Sequence, residues 1–349
     1  MLIQELLELT IKRQASDLHL TVGYPPILRI NGRLTRIGDE EFTKDTCSTV
    51  ILSLLSDVQK SVLEKQKELD LSYSLPTGNR FRINVFHERG HLAAAFRLIS
   101  SHIRSIDELG LPKVCHEFVN LTQGLVLLTG PTGQGKTTSI AAIIQEINSN
   151  HARHIITIED PIEYIFPKGK SIVEQRELEQ DTLSWSNALR SALREDPNIV
   201  FIGEMRDYET ISSAVTIAET GHLVFATLHT NSAAQTVDRI IDVFPENQQN
   251  QIRSQLANIL EAIISQRLIE SLDGSRAVAS EVLLALPSVR NVIREGKTYQ
   301  LDNIIQTSGD LGMITLEKSL VKLVREGRIS LEIAKTISNR PEEIIRLFK

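Results

Sequence analysis

The stretch "LLTGPTGQGKTTSIAAI", from Leu127 to Ile143, constrains the fold more than any other part of this chain. An apolar run breaks into glycines, a lysine and two threonines, then resumes with helical character. Gly130, Gly135, Lys136 and Thr137 satisfy the full phosphate-loop spacing, and the flanks supply the strand before and the helix after that the pattern requires. Gly130, Gly133 and Gly135 let the backbone turn tightly, so that N–H groups point inward at phosphates, and the following helix adds the positive end of its dipole. Lys136 offers a mobile charge to the outer phosphates, and the Thr137 hydroxyl is a magnesium ligand. Pro131, Thr132, Gln134 and Thr138 complete the cradle, with Gln134 expected to contribute mainly backbone. The expected ligands are ATP and Mg2+.

Such a loop belongs in a parallel sheet, and the sequence supplies one. The apolar runs "GLVLLTG", "HIITIED", "NIVFIGE" and "HLVFATLHT" alternate with helical segments, the pattern of an α/β sheet wrapped on both faces. "VASEVLLAL" adds a further strand. From Ser288 onward the pattern is mostly helical, with breaks marked by Gly296, Gly309, Gly312 and Gly327. At 349 residues the chain exceeds one ordinary core. Its first hundred residues read as a smaller α+β domain: an amphipathic helix, a strand in "DLHLTV", a hairpin turning at Asn31-Gly32, helical periodicity over 43–67, and antiparallel strands turning at Thr77-Gly78-Asn79 and Glu88-Arg89-Gly90. The expected organisation is 1–100 for the N-terminal domain, 101–112 for a linker, 113–287 for the ATPase core and 288–349 for a C-terminal helical region.

Composition narrows the class. Hydrophobic residues make up 41% and charged residues 23%, and the net charge of −6 comes from interspersed acids and bases. No basic tract offers a general nucleic-acid footprint. Cys47 and Cys115 are the only cysteines and form no CxxC, which fits a reducing compartment and gives no zinc-site spacing. Glu5 and Glu8 interrupt the N-terminal leucines, unlike a secretory signal, and no run of roughly 18 apolar residues occurs. These features predict a cytoplasmic protein.

Hydrolysis needs groups that position magnesium and an attacking water, and in such sheets they lie at the carboxyl ends of strands. "ITIEDPIEYIF" offers Glu159, Asp160 and Glu163 for the magnesium water shell; a charge pair at a helix start beside Pro161 is the other reading. "NIVFIGEMRD" ends a strand at Gly203-Glu204, where a carboxylate can orient water in line; the other reading is an acid paired with Arg206. "TGHLVFATLHT" brackets a strand with His222 and His229. A histidine beside the outermost phosphate can report it by hydrogen bonding, but a lone histidine serves structure as readily. His222 therefore stays open, and His229, at the carboxyl end, is better placed. Arg80 and Arg82 share a strand face and Arg97 ends another strand, which pattern alone reads as a solvated edge. Arg190 and Arg194 are spaced to share a helix face. Arginine suits the charge of a transferring phosphoryl group, and whether these reach their own nucleotide or a neighbour's is left open.

Together these boxes resemble a known family. "ASDLHL", "GPTGQGKTT", "IEDPIEY", "SALREDP", "GEMRD", "TGHLVFATLHTNSAAQTVDRIIDVFP" and "ISQRL" are similar to the successive motifs of the ATPases of type II secretion and type IV pili, most of all the pilus-retraction (PilT) type. The resemblance implies a PAS-like N-terminal domain, a RecA-like C-terminal domain and a homohexameric ring with nucleotide between the domains. It places Lys136 and Thr137 on phosphate and magnesium, and Glu204 as the catalytic carboxylate. Glu159, Asp160 and Glu163 fall in an Asp box, and His222 and His229 in a His box. Arg82 and Arg97 correspond to N-terminal arginines that reach the nucleotide, and Arg190 and Arg194 to arginines that line the site from the core. It further implies a motor, peripherally associated with the inner membrane, that turns a platform protein there and drives pilin back into the membrane. Extension and secretion relatives carry a four-cysteine zinc module after the phosphate loop, whereas both cysteines here precede it. "SVRNVIREGK" resembles the retraction type's C-terminal motif, with Ser288 and Val289 in place of the commonest Ala-Ile. An extension or secretion ATPase is the nearest alternative. A nucleic-acid translocase, which the acidic balance opposes, and a non-hydrolysing nucleotide-switched scaffold are further ones.

Overall fold

A computed structural model of the chain describes every residue except Met1, Asn31, Thr77, Ser100 and Ser101. The turns expected at Asn31-Gly32 and Thr77-Gly78-Asn79 each include a residue outside the described ones. The chain divides into two compact units, Met1–His102 with Glu163–Ile165, and Ile103–Ile162 with Phe166–Lys349.

The first unit runs α1 (Ile3–Lys12), β1 (Asp17–Leu20), β2 (Ile27–Ile30), β3 (Arg33–Arg36), α2 (Lys44–Leu52), α3 (Asp57–Gln66), β4 (Glu68–Ser74), β5 (Arg80–Glu88) and β6 (His91–Ile99). Its six strands form an antiparallel sheet in the order β3-β2-β1-β6-β5-β4. Leu18, Leu28, Ile83 and Phe96 alternate into a core with the helices' Leu6, Leu7 and Ile51. The helical stretch expected over 43–67 is two helices. Ser56 accepts from the Gln59 N–H while Gln59 answers the Ser56 N–H, a capping box that starts α3 afresh.

The second unit continues with β7 (Gly124–Thr129), α4 (Lys136–Asn150), β8 (His154–Glu159), β9 (Ile172–Glu177), α5 (Trp185–Ala192), β10 (Ile199–Ile202), α6 (Tyr208–Glu219), β11 (Leu223–Leu228), α7 (Ala233–Asp242), α8 (Glu246–Ile259), β12 (Leu260–Glu270), β13 (Arg276–Leu284), α9 (Pro287–Arg294), α10 (Leu301–Thr307), α11 (Leu316–Arg325), α12 (Leu331–Ile337) and α13 (Pro341–Phe348). Seven strands lie in the order β13-β12-β7-β11-β10-β8-β9, parallel throughout except for the antiparallel edge pair β12/β13. Two of them, β9 and β12, were not read from the sequence. Successive residues point to opposite faces. Leu125, Leu127, Val200 and Val224 pack with α5 to α9, while Val126, Leu128, Phe201 and Phe225 pack with α4 and residues 113–120. On β13, buried Glu281 accepts from the Ala233 N–H at the start of α7 at 2.7 Å. Burial pushes its carboxyl up to about 7, and the charges of Asp302 and Glu317 push the same way. Among the described residues no helix is long and apolar enough to cross a membrane.

Candidate nucleotide site

All six residues of β7 are buried, and the chain leaves the strand at Gly130 with φ +144°. A Cβ there would lie 2.5 Å from the Gln266 carbonyl oxygen on β12, so only glycine lets the loop pass this close. The loop turns back through Gly133 and Gly135, and α4 begins at Lys136 with no side chain capping it. An uncapped first turn directed at a glycine-rich loop is an anion seat. Lys136 is 7% exposed. Its ammonium donates to the carbonyls of Gly130 at 2.8 Å and Pro131 at 3.0 Å. Thr137 and Thr138 follow it in the first turn, and Pro131, Thr132 and Gly133 form the exposed rim.

The carboxyl end of β10 delivers the acid. The Gly203 N–H donates to the Ile158 carbonyl, and a Cβ on Gly203 would sit 3.2 Å from the Glu159 Cα, so a bare backbone brings the ends of β8 and β10 together. Thr227 secures the other side by donating its hydroxyl to the Gly203 carbonyl at 2.6 Å. Glu204 then meets two cation-capable partners on one oxygen: Oε1 lies 2.6 Å from Arg206 Nε and 2.8 Å from His229 Nε2. The other ring nitrogen of His229, Nδ1, lies 3.4 Å from both Lys136 Nζ and the Thr132 hydroxyl. Burial raises the Glu204 pKa, but the Arg206 hydrogen bond and the charges of His229, Arg206 and Lys136 outweigh it and hold the carboxyl below its ordinary value. Glu204 thus pairs with Arg206 and also joins the phosphate loop through His229.

Glu159 ends β8 in the interior, 3% exposed. Its Oε1 accepts from the Thr157 hydroxyl at 2.7 Å and from Gln175 on β9 at 3.4 Å. Asp160 is exposed beside it, and its charge strengthens the hold on the Arg206 proton. Together with the Thr137 hydroxyl these are hard oxygen donors, the set magnesium takes, so the residues fit the expected ion. Glu163 groups with the first unit.

Other expected residues take their places within their own units. His222 precedes β11, at the end opposite His229, and a strand of this length separates them by about 20 Å. There its Nδ1 meets the Thr220 hydroxyl and the Ile217 carbonyl. The shared helix face expected for Arg190 and Arg194 is not formed, because α5 ends at Ala192 and Arg194 falls in the turn beyond. α5 starts with Trp185 beside Gly203 and runs back toward Asn198, which bonds His154 at the amino edge of the sheet. In the first unit, Arg82 pairs directly across from Arg97, Arg97 across from Asp17, and Asp17 across from Arg29. Arg97 Nε donates to Asp17 Oδ1 at 2.9 Å.

The sequence reading missed Gln266 as a neighbour of the loop and gave Gln134 too small a part. The Gln134 side chain accepts from the Leu268 N–H at 2.7 Å, so the position contributes more than backbone. The only sequence signal was "ISQRL", whose polar residues interrupt an apolar run.

Fold and site define a phosphate-loop α/β protein built to hold a nucleoside triphosphate. Residues 1–333 match the family described as type II/IV secretion system protein. The chain belongs to that family. It is 46% identical over 340 residues to the type IV pilus retraction ATPase PilT of Pseudomonas aeruginosa, covering 97% of this chain and 99% of that one. It is also 46% identical over 320 residues to a twitching motility protein of Neisseria gonorrhoeae, covering 91% and 86% respectively. A crystal structure of the pilus retraction motor PilT with bound ADP superposes with a TM-score of 0.93 at 45% identity, over 99% of each chain. The resemblance to the retraction type and the α/β secretion-ATPase fold are both borne out.

Proposed function

We propose that this chain is a magnesium-dependent ATPase whose hydrolysis drives the retraction of type IV pili. The observation that carries the chemistry is the line from Lys136 through His229 to Glu204, which joins the phosphate loop to an ionised carboxylate at the next strand ends. The pilus assignment draws on the near full-length likeness to the retraction ATPase.

In this reading the loop amides and Lys136 hold the β- and γ-phosphates of ATP, and the Glu204 Oε2 accepts a hydrogen bond from the attacking water. His229 spans that carboxylate and the Lys136 ammonium, so it feels a change in phosphate charge from both sides. Thr137, with Glu159 and Asp160 through water, would hold magnesium, which supplies charge neutralisation between the phosphates. Arg82, Arg97, Glu163, Arg190 and Arg194 complete the site in a homohexameric ring, some of them from the neighbouring subunit. The ring acts from the cytoplasm on an inner-membrane platform protein and returns pilin to the membrane. The organisation into 1–100, 101–112, 113–287 and 288–349 belongs to the same proposal.

The test is deletion of the gene in its host, with surface pili counted by electron microscopy. Excess pili and lost surface motility are expected. Bald cells would make this an extension motor and overturn the reading.

A further inference from the structure

β12 has to do without its neighbour just where the phosphate loop begins. β7 ends at Thr129 opposite Ser265, so Leu268 lies beyond the last pairing on that side. Its N–H would be left without a ladder partner, and Gln134 Oε1 accepts it from the loop. The loop is held a second time at the same residue: Gln266 Nε2 donates to the Gln134 carbonyl oxygen at 2.6 Å. Gln266 Oε1 accepts from the Ser139 hydroxyl, in the first turns of α4, at 2.8 Å. One orientation of the Gln266 amide satisfies both bonds, and the reverse sets its oxygen against the Gln134 carbonyl and loses that bond. This side chain is 1% exposed, so it cannot trade those bonds for water. The next residue extends the contact, since Arg267 donates to the Gln266 carbonyl at 3.0 Å and to the Asn231 carbonyl and side-chain oxygen at 3.2 and 3.1 Å. Asn231 stands two residues after His229.

The geometry points to Gln134 and Gln266 as positioning residues: a reciprocal amide brace that sets the phosphate loop in its binding curve before nucleotide arrives, with Arg267 tying the same strand to the His229 loop. This rests on the ATPase reading above. A buried amide that served packing alone would need partners, but not two that span the phosphate loop and the helix it feeds. The brace acts through the loop backbone, so its loss should cost affinity, because nucleotide binding must then order the loop as well. The phosphate groups themselves re-form much of the curve once bound, so turnover at saturation should suffer less.

The experiment uses the full chain with Gln266→Met, which keeps length and volume but removes both bonds, and the half-exposed Gln134→Ala, which leaves the interior intact. ADP affinity is measured by calorimetry, KM and kcat by phosphate release, and amide exchange over 130–139 by mass spectrometry without and with ADP. Gln266→Met should raise the ADP Kd and the ATP KM about tenfold with kcat reduced less than about threefold, and Gln134→Ala should move them the same way by about threefold. Exchange over 130–139 should rise without nucleotide and return to wild-type levels with saturating ADP. Unchanged Kd and KM in both variants, or a kcat loss with Kd preserved, would overturn the brace while leaving the ATPase reading standing. A wild-type chain that neither bound ADP nor released phosphate would overturn both.

Discussion

The two ends of the seven-stranded sheet draw on the same residue types and put them to different uses. At the carboxyl end, Lys136 at the start of α4 meets His229 just past β11, and His229 meets Glu204 just past β10. At the amino end, His154 is held by the Asp196 carbonyl and Glu174, and His222 closes the turn before β11. Residue type therefore does not distinguish the two ends. The parallel ladder does, because it gathers every carboxyl terminus on one edge and points several helix starts at it.

Four substitutions test that contrast. The largest effect belongs to Glu204→Gln: ATP binding should persist while kcat falls about 10³-fold, measured by phosphate release. Retained turnover would remove Glu204 from its assigned role. His229→Ala leaves the carboxylate but cuts its link to the loop, and kcat should fall about 10- to 100-fold. For His222→Ala the position predicts only a few-fold loss, through the slackened turn at Thr220; a loss as deep as that of His229→Ala would mean that one ring subunit uses its neighbour's amino edge. The smallest change in turnover, within about twofold, is expected for Glu281→Gln, which separates strand position from charge environment. Glu281 lies opposite Ser265, near the same edge, yet there burial outweighs the pull of Arg340 and raises its pKa.

The pH dependence of Glu281 has a definite sign. Its folded pKa of about 7 exceeds the ordinary 4.5, so between those values the folded chain keeps a proton that the unfolded chain has released. Stability is therefore lost as pH rises from 4.5 through about 7. Glu281→Gln should raise stability by about 3 kcal/mol at pH 8 and by nothing below pH 4.5, read from denaturant midpoints. Glu204 runs the other way: its depressed pKa contributes stability above the unfolded value, which is lost as pH falls through the folded one.

The phosphate loop, the strand ends at Glu159 and Glu204, and the order of most elements were legible because each rests on a local pattern. The rest depended on distance in sequence. β9, "IVEQRE", is an edge strand whose half-exposed residues carry no apolar run. β12 follows α8 with no turn residue between Ile259 and Leu260, so its start is hidden in the helical pattern. Gln266 reaches the loop across 132 residues, a contact that no periodicity announces. The end of α5 before Arg194 was likewise invisible, since nothing in "SALRED" forbids another turn. In the first unit, "SDVQ" did carry the capping box that divides 43–67, and the apolar period overrode it.

The direct passage from α8 into β12 has a mechanical consequence. Leu260 is at once the C-cap of the helix and the first residue of the strand, in extended conformation with φ −62° and ψ 131°. With no loop between them the only give is the register shift against β7 between Leu260 and Ala262. The 14-residue helix, about 21 Å long, and the strand behave as one rod with a single bend. A push on the far end of α8 is delivered along β12, six residues past the bend, to Gln266 at the rim of the nucleotide cradle.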